Sequence, residues 1–256
     1  MNRIEKLFTE KKDKILSVYF TAGFPENDST AGIITNLQDA GADMIEIGMP
    51  FSDPVADGPV IQMSNMMALR KGMNLRLLFS QIKSIKDKVR VPLILMGYIN
   101  PVLRFGVENF CRECASSGID GVILPDLPPE VFENEYSAIF KRHNIISVFL
   151  VSPLTDEERI RYIDSLSRGF IYVVSSSSTT GRKTKFSEKQ MAYLRKLKDM
   201  NLRSPLVAGF GIGDAAAFRD ATSFTDGAIT GSAFIEMLAG EGATAKSIAA
   251  FTASFR

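Results

Sequence analysis

The amino-acid sequence predicts an α/β protein, a single (β/α)8 TIM barrel over residues 1–256 with extra N-terminal and loop helices. Two observations predict this fold. Short apolar runs rich in β-branched residues alternate with longer amphipathic stretches, and eight such β-then-α units follow one another in series. The apolar runs are nearly continuous, which is typical of strands buried on both faces of a parallel sheet. A doubly wound open sheet is the structural alternative.

Eight strands are predicted from these apolar runs. Each run is short, and most runs are rich in β-branched residues. The predicted strands are residues 15–20, 44–47, 93–96, 121–124, 147–151, 170–174, 206–208 and 227–230.

Helices are predicted between the strands from their amphipathic pattern. Pro129 suits a first helical turn, where its missing N–H costs little. Residues 2–11 are expected to form an extra helix that covers the barrel floor, and two helices follow the last strand. The predicted helices are residues 2–11, 28–40, 60–71, 74–88, 107–117, 129–143, 156–167, 187–200, 215–220, 232–238 and 243–253.

Length and charge bound the class of protein. The chain has 256 residues and 45% hydrophobic content, enough for a large core, and no composition shift or linker divides it. Its 30 basic and 29 acidic residues give a formal net charge of +1 and are spread along the sequence. With no basic face and no acidic tail, we expect neither nucleic acid nor a membrane surface as a partner.

The N-terminus and the cysteines indicate a cytoplasmic protein without a metal site. Residues 1–8 lack the apolar segment of a signal peptide, and no apolar run approaches the roughly 20 residues that span a bilayer. Cys111 and Cys114 form a C-x-x-C pair in a helical stretch, with no second pair and His143 as the only histidine. We interpret the thiols as buried and inert. We interpret His143 as a side chain near the end of a helix, where a positive charge interacts favourably with the helix dipole.

Residues 45–59 give the strongest chemical signal, because a carboxylate ends an apolar strand and a Pro/Gly-rich loop follows. Side chains alternate along a strand, so Met44 and Glu46 share one face while Ile45 and Ile47 share the other. If the isoleucines pack against helices, Glu46 points into the barrel mouth, where active sites lie and where partial burial raises its pKa. We predict a proton-transfer role for Glu46; the alternative is a carboxylate that is hydrogen-bonded only for structure.

Two aspartates follow in the loop. Asp57 lies eleven positions after Glu46, and Pro50, Pro54 and Pro59 restrict the loop that carries it. Either Asp57 or Asp53 could supply a second carboxylate, and either could instead cap the next helix. Sequence spacing alone does not choose between them.

Glycines mark three successive late loops, after the sixth, seventh and eighth strands. Bare N–H groups at a helix N-terminus bind phosphate, and barrels often place their phosphate site in the last loops. We therefore expect a phosphorylated small-molecule substrate. Arg182 and Lys183 beside the first of these glycines could add charge or remain solvated. Tyr172 could line an aromatic pocket or fill core, and Phe210, between two glycines, has the better claim to contact a flat ligand.

These segments together resemble the tryptophan synthase alpha subunit family, in order and over most of the chain. The segment Pro-Phe-Ser-Asp-Pro-Val-Ala-Asp-Gly-Pro is highly specific to that family. The matching segments are residues 20–25, 45–62, 97–101, 124–128, 179–181, 209–212 and 231–233.

The resemblance implies retro-aldol cleavage of indole-3-glycerol phosphate to indole and glyceraldehyde 3-phosphate, with no metal or cofactor in this subunit. Glu46 would transfer the protons, and Asp57 would accept a hydrogen bond from the indole N–H. At other family positions, Tyr172 and Phe210 would border the indole, and Thr180 would belong to a loop that closes on Asp57. The residues that would hold the phosphate are Gly181, Gly211, Gly231 and Ser232.

The resemblance also implies a beta subunit that carries pyridoxal phosphate, in an alpha2-beta2 heterotetramer with a tunnel for indole. Pro50, Asp53, Asn100 and Pro101 map to loops that would face this partner. One position departs from the family: Ser178 stands where glycine is usual, and serine tolerates positive φ poorly. Loop closure is therefore the least direct of these expectations.

Two other functions compete. Another phosphate-binding barrel enzyme would need different strand-end acids or a catalytic lysine, and no lysine lies in any predicted strand. A catalytically weak subunit that mainly activates a partner enzyme would not need Glu46 and Asp57 together. An assay of indole release, with and without a beta subunit, distinguishes these hypotheses.

Overall fold

The structure, a computed structural model, describes residues 1–174 and 187–256. Its eight strands are β1 (Ile15–Thr21), β2 (Met44–Gly48), β3 (Leu93–Met96), β4 (Gly121–Ile123), β5 (Ile146–Val151), β6 (Ile171–Val174), β7 (Leu206–Gly209) and β8 (Gly227–Thr230). Each strand is parallel to its neighbours, the strands pair in chain order, and β8 closes on β1. The predicted barrel is therefore confirmed, and the open sheet is wrong. Each strand end lies within one residue of its predicted position.

Helices surround the barrel. They are α1 (Arg3–Glu10), α2 (Ser29–Asp39), α3 (Pro59–Arg70), α4 (Leu75–Lys83), α5 (Ile99–Phe105), α6 (Val107–Ser117), α7 (Pro129–Val131), α8 (Ser137–Arg142), α9 (Glu157–Leu166), α10 (Glu188–Asp199), α11 (Ala215–Thr222), α12 (Ser232–Glu241) and α13 (Ala245–Ala253). The predicted helix over 74–88 ends at Lys83, before a short 3-10 helix (Lys86–Lys88). The predicted helix over 129–143 contains a π-helical segment (Phe132–Tyr136) between α7 and α8.

Helix α5 was not predicted, because Pro101 reads as a loop residue. In the structure Pro101 is the third residue of α5. The first four N–H groups of a helix have no intrahelical partner, so a proline in the first turn removes no backbone hydrogen bond. The first turn of α5 therefore accommodates it.

Two apolar cores follow from strand alternation. Met44, Ile94 and Ile229 belong to the core inside the barrel. Ile45 and Ile47 belong to the larger core between the barrel and the helices. The inner face of β2 is therefore the face of Met44 and Glu46, as its alternation predicts.

Helix α1 closes the floor of the barrel, as predicted. Ile4 is fully buried in the inner core. The Asn2 side-chain amide donates to the carbonyl oxygens of Asp120 and Asn144, each at 2.9 Å, and Arg3 forms an ion pair with Asp120 at 2.8 Å. Because Asp120 and Asn144 precede β4 and β5, α1 covers the N-terminal ends of the strands. The opposite end carries the loops in which barrel active sites are built.

The cysteines and the histidine take structural positions. Cys111 and Cys114 are buried free thiols, and burial raises the pKa of both, to about 12 for Cys111. His143 is the C-cap of α8, and its Nε2 lies 2.7 Å from Oε1 of Glu108 on α6. The burial of both thiols and the position of His143 at a helix end are as predicted.

Within the described parts of the chain, no helix combines the length and the apolar character that crossing a bilayer requires.

Candidate active site

Glu46 is fully buried on the inner face of β2. Its Oε1 accepts a hydrogen bond from the Ser17 hydroxyl at 2.8 Å, and its Oε2 has no hydrogen-bond partner among the described residues. Burial raises the pKa of Glu46 to about 8, and the Ser17 hydrogen bond opposes this rise. At neutral pH the carboxyl group is therefore mainly protonated, and it can donate a proton.

Asp57 is buried in the loop between β2 and α3. Gly58, not Asp57, is the N-cap of α3, and it makes no side-chain capping hydrogen bond. The helix-capping alternative is therefore wrong for Asp57. Asp53 is exposed, and its carboxylate accepts a hydrogen bond from Ser52 at 2.6 Å. Of the two loop aspartates, only Asp57 is buried, and burial raises its pKa to about 6.

Tyr98 connects the loop of Asp57 to the end of β3. Its hydroxyl oxygen accepts a hydrogen bond from the Ala56 N–H at 2.9 Å and donates to Oδ2 of Asp57 at 3.4 Å. The Tyr98 ring also stacks on Phe51, with ring centroids 5.0 Å apart. Tyr98 therefore contacts this loop both near its start, at Phe51, and near its end, at Ala56 and Asp57. These contacts fix the direction of the Asp57 side chain.

Three aromatic side chains stand on the inner face of the barrel near the two acids. Tyr19 on β1 and Tyr172 on β6 are buried. Burial raises the pKa of Tyr172, and the charges of Glu46 and Asp57 raise it further. Phe210 contacts Tyr172 edge-on, with ring centroids 6.2 Å apart. The structure therefore brings the predicted acids and the predicted aromatic residues into one region.

The late loops lie at the same end of the barrel. Phe210 and Gly211, after β7, have left-handed φ values of +69° and +79°. Gly231 follows β8 directly and is the N-cap of α12, which begins at Ser232. A Cβ on Gly231 would lie 3.3 Å from the Tyr19 ring. The Tyr19 ring also lies over Gly48, the last residue of β2. Gly231 and the strand that carries Glu46 therefore contact the same side chain. The predicted Thr180 and Gly181, and the loop around Ser178, Arg182 and Lys183, lie outside the described residues.

A cavity opens between Asp57 and the ends of β3 and β4, and sequence reasoning missed most of its lining. Asn65 on α3 is buried there, and its Oδ1 has no hydrogen-bond partner among the described residues. Inward alternation on β1 could have identified Tyr19, but no local signal marks Asn65 or Tyr98. The cavity is lined by Tyr19, Met49, Asp57, Asn65, Met96, Gly97, Tyr98 and Pro125.

The four residues expected to face a partner lie on the same side of the barrel. Pro50 and Pro101 are half-buried, and Asp53 and Asn100 are exposed. One expectation is wrong: Asn100 and Pro101 lie in the first turn of α5, not in a loop. Val55, in the same loop as Asp53 and Asp57, is 83% exposed. This rim therefore presents both polar and apolar groups to solvent.

The described residues contain no group of three or more His, Cys, Asp or Glu side chains placed to hold a metal ion. The groups present at the site are carboxyl groups, phenols, amides and backbone N–H groups. With two carboxyl groups of different pKa, this arrangement can divide acid and base roles.

Comparisons with known proteins agree on one family. The model of the family described as tryptophan synthase alpha chain matches residues 6–255. The chain is 51% identical over 242 residues to the tryptophan synthase alpha chain of Flavobacterium johnsoniae, covering 94% of this chain and 95% of that one. It is 50% identical to the chain of the same name from Bacteroides thetaiotaomicron, covering 93% of each.

Solved structures give the same result. A variant of the tryptophan synthase alpha-subunit from the hyperthermophile Pyrococcus furiosus superposes with a TM-score of 0.87 at 34% identity, covering 96% of this chain and 98% of that one. A crystal structure of tryptophan synthase from M. tuberculosis, in its aminoacrylate-bound form, superposes with a TM-score of 0.86 at 29% identity, covering 100% and 98%.

Proposed function

The chain belongs to the tryptophan synthase alpha chain family, and from this premise we propose that it cleaves indole-3-glycerol phosphate to indole and glyceraldehyde 3-phosphate. Family membership implies a lyase-type reaction in tryptophan synthesis. The specific half-reaction is our proposal, and the other two candidate functions lose their support because the family model, the relatives and the solved structures agree.

One observation supports the proposal most directly. Glu46 is a fully buried carboxyl group at the catalytic end of the barrel, and burial raises its pKa to about 8. Keeping a carboxyl group neutral at pH 7 is a means of making a proton donor. A carboxylate held for structure would instead have its ionised form stabilised by several donors. Glu46 has the single donor Ser17 among the described residues.

In the proposed reaction, Glu46 donates its proton to the ring carbon that carries the glycerol chain. The neighbouring glycerol hydroxyl then loses its proton to the Glu46 carboxylate, and the carbon–carbon bond breaks. The electron pair of that bond returns to the ring as indole leaves, and the hydroxyl carbon becomes the aldehyde of glyceraldehyde 3-phosphate. Glu46 ends protonated, so the cycle balances without a cofactor in this subunit.

Asp57 stabilises the charge that this sequence creates. Protonation of the ring carbon makes the indole nitrogen positive, and the Asp57 carboxylate accepts a hydrogen bond from its N–H. Tyr98 holds the Asp57 side chain in place. Tyr172 and Phe210 border the flat indole ring, an environment in which aromatic edges and faces contribute to binding.

The phosphate would bind at the same end of the barrel, in the loops that follow β7 and β8. Gly211, Gly231 and Ser232 provide backbone N–H groups near the start of α12, where the helix dipole favours an anion. Thr180 and Gly181 are proposed to complete the site, by family position alone.

Family membership also implies a beta subunit as partner. We propose that this partner carries pyridoxal phosphate, that the complex is an alpha2-beta2 heterotetramer, and that the rim with Pro50, Asp53, Asn100 and Pro101 faces it. The apolar product gives the contact a purpose, because free indole would escape into solvent or membranes.

The test measures indole and glyceraldehyde 3-phosphate formed from indole-3-glycerol phosphate, with and without a beta subunit. We expect the two products in equal amounts. For Asp57→Asn we expect a fall in turnover of about a hundredfold, with little loss of stability because the amide removes a buried ionisable group. Wild-type turnover in that variant would remove Asp57 from the mechanism, and absence of both products in the wild-type complex would refute the activity.

A further inference from the structure

Ser17 places a hydroxyl group in an apolar layer of the barrel. It is fully buried on the inner face of β1. Its strand partners are Met44 on β2 and Ile229 on β8, both in the inner apolar core. A buried hydroxyl is costly unless it is hydrogen-bonded. The partner it has among the described residues is Oε1 of Glu46, at 2.8 Å.

This hydrogen bond makes the two oxygens of Glu46 different. Oε1 accepts from Ser17, whereas Oε2 is buried with no hydrogen-bond partner among the described residues. A protonated carboxyl group has one hydroxyl oxygen and one carbonyl oxygen, and the carbonyl oxygen is the better acceptor. A donor on Oε1 therefore favours the form in which Oε2 carries the proton.

We propose that Ser17 is a positioning residue that holds Oε1 of Glu46 as the accepting oxygen, so that the transferable proton is on Oε2. This inference deepens the proposed function and rests on it. Ser17 acts through Glu46 and not on the substrate. Its removal should therefore change proton transfer while leaving substrate binding intact.

The pH dependence of the reaction follows from the groups that surround Glu46. Among the described residues, Ser17 on β1 lowers the pKa of Glu46 through its hydrogen bond. In the part of the chain that the structure describes, the other titratable groups facing this region are Tyr19 on β1, Tyr172 on β6 and Asp57 in the loop after β2, and burial raises the pKa of all three. A hydrogen bond to the charged form favours ionisation, so losing the Ser17 donor raises the pKa of Glu46 further. The expected rise is about one pH unit, on the order of one hydrogen bond to a charged group.

The experiment compares Ser17→Ala and Ser17→Cys with the wild-type chain, each in complex with the beta subunit. For Ser17→Ala we expect kcat to fall about tenfold, KM to stay unchanged, and the alkaline limb of the pH–rate profile to move up by about one unit. Ser17→Cys keeps a weak hydrogen-bond donor, so its kcat and the position of its alkaline limb should lie between those of the wild-type chain and those of Ser17→Ala. Thr252→Val is the matched control, because it removes an equally buried hydroxyl with one hydrogen bond, on α13, and should leave kcat and the profile unchanged.

Infrared spectroscopy of the free chain provides a readout that does not depend on activity. The protonated Glu46 carbonyl should give a band that disappears as pH rises through about 8 and that Glu46→Gln lacks. A hydrogen bond to the carbonyl oxygen lowers its stretching frequency, so the wild-type band should lie in the hydrogen-bonded range. In Ser17→Ala it should move to higher frequency.

The outcomes separate the two claims. A wild-type band at the frequency of a free carbonyl, or one that Ser17→Ala does not move, overturns the role of Ser17, whether or not the variants are active. An unchanged kcat and pH profile in Ser17→Ala also overturns it, while an inactive Glu46→Gln leaves the proposed function standing. Full activity of Glu46→Gln would instead remove the proton-transfer role of Glu46, on which this inference rests, and absence of both products in the wild-type complex would remove the proposed function itself.

Discussion

The ring of Tyr19 lies over the backbone of Gly48, so a Cβ on Gly48 would be 2.7 Å from Tyr19 Cζ. The same relationship occurs between Tyr172 and Gly209, where a Cβ would be 2.5 Å from Tyr172 Cε1. In each pair the tyrosine precedes by two residues the strand partner of the glycine. Each tyrosine ring thus packs over the adjacent strand at the barrel mouth, Tyr19 over β2 and Tyr172 over β7. Each contact requires a glycine, because a Cβ at that position would clash with the ring.

Gly48→Ala should therefore displace Tyr19 from the wall of the site. We expect the substitution to destabilise the chain by about 1–3 kcal/mol, as overpacking usually does, and to lower indole release. Gly32→Ala is the control, because Gly32 is exposed in α2 and a Cβ added there would meet nothing within 4 Å. That change should stabilise the helix by about 0.5–1 kcal/mol. Thermal unfolding measures both, and equal stability of the two variants would contradict the packing argument.

Tyr98→Phe should loosen the loop that carries Asp57. The substitution keeps the ring stacked on Phe51 but removes the hydroxyl that binds Ala56 and Asp57. We expect a loss of about 1 kcal/mol in the free energy of unfolding together with a fall in kcat.

Tyr193→Phe is the matched control for the Tyr98 variant. The Tyr193 hydroxyl is buried and has no hydrogen-bond partner among the described residues. Removing an unsatisfied buried hydroxyl should leave stability unchanged or raise it. If Tyr98→Phe behaves like Tyr193→Phe in both stability and kcat, Tyr98 does not hold Asp57.

Glu46 should make the chain less stable as pH rises. The native chain keeps the Glu46 proton up to about pH 8, whereas the unfolded chain releases it near 4.5. The native state therefore binds more protons between these values, and the contribution of Glu46 to stability is greatest below pH 4.5 and falls as pH rises to 8. The full effect is on the order of 5 kcal/mol.

Denaturant unfolding between about pH 6 and pH 8 isolates this effect. We expect the free energy of unfolding of the wild-type chain to fall more steeply over this range than that of Glu46→Gln. Asp57→Asn should keep the steep fall, because the pKa of Asp57 rises only from 3.8 to about 6 and its contribution is complete below this range. Parallel curves for the wild-type chain and Glu46→Gln would show that Glu46 is ionised at neutral pH.

Local sequence signals predicted the barrel well because each strand is buried on both faces. The inward direction of Glu46 followed from alternation with Ile45 and Ile47, which needs only the strand period. Ser17 and Tyr98 were missed because they act between neighbouring strands that are distant in sequence: Ser17 is 29 residues from Glu46, and Tyr98 is 41 residues from Asp57. No periodicity within one segment reports such a contact. Helix α5 was missed because a proline such as Pro101 is compatible with the first turn of a helix as well as with a loop.

The proposed partner surface can be tested at Val55. This side chain is 83% exposed at the rim that carries Pro50 and Asp53. Val55→Asp should weaken binding of the beta subunit and leave the thermal stability of the free chain unchanged, because an exposed side chain contributes little to folding. Ala249→Asp adds the same charge at an exposed position of α13 and should leave binding unchanged. Equal affinity of the two variants, measured by calorimetry, would place the interface elsewhere.

The central claim is that the buried Glu46 carboxyl group transfers the protons of the cleavage step. The most direct measurement is the rate of indole release from indole-3-glycerol phosphate by Glu46→Gln in complex with the beta subunit. The amide keeps the shape of the side chain but cannot exchange a proton, so we predict a fall of at least about a hundredfold with KM little changed. Indole release at the wild-type rate would contradict the account.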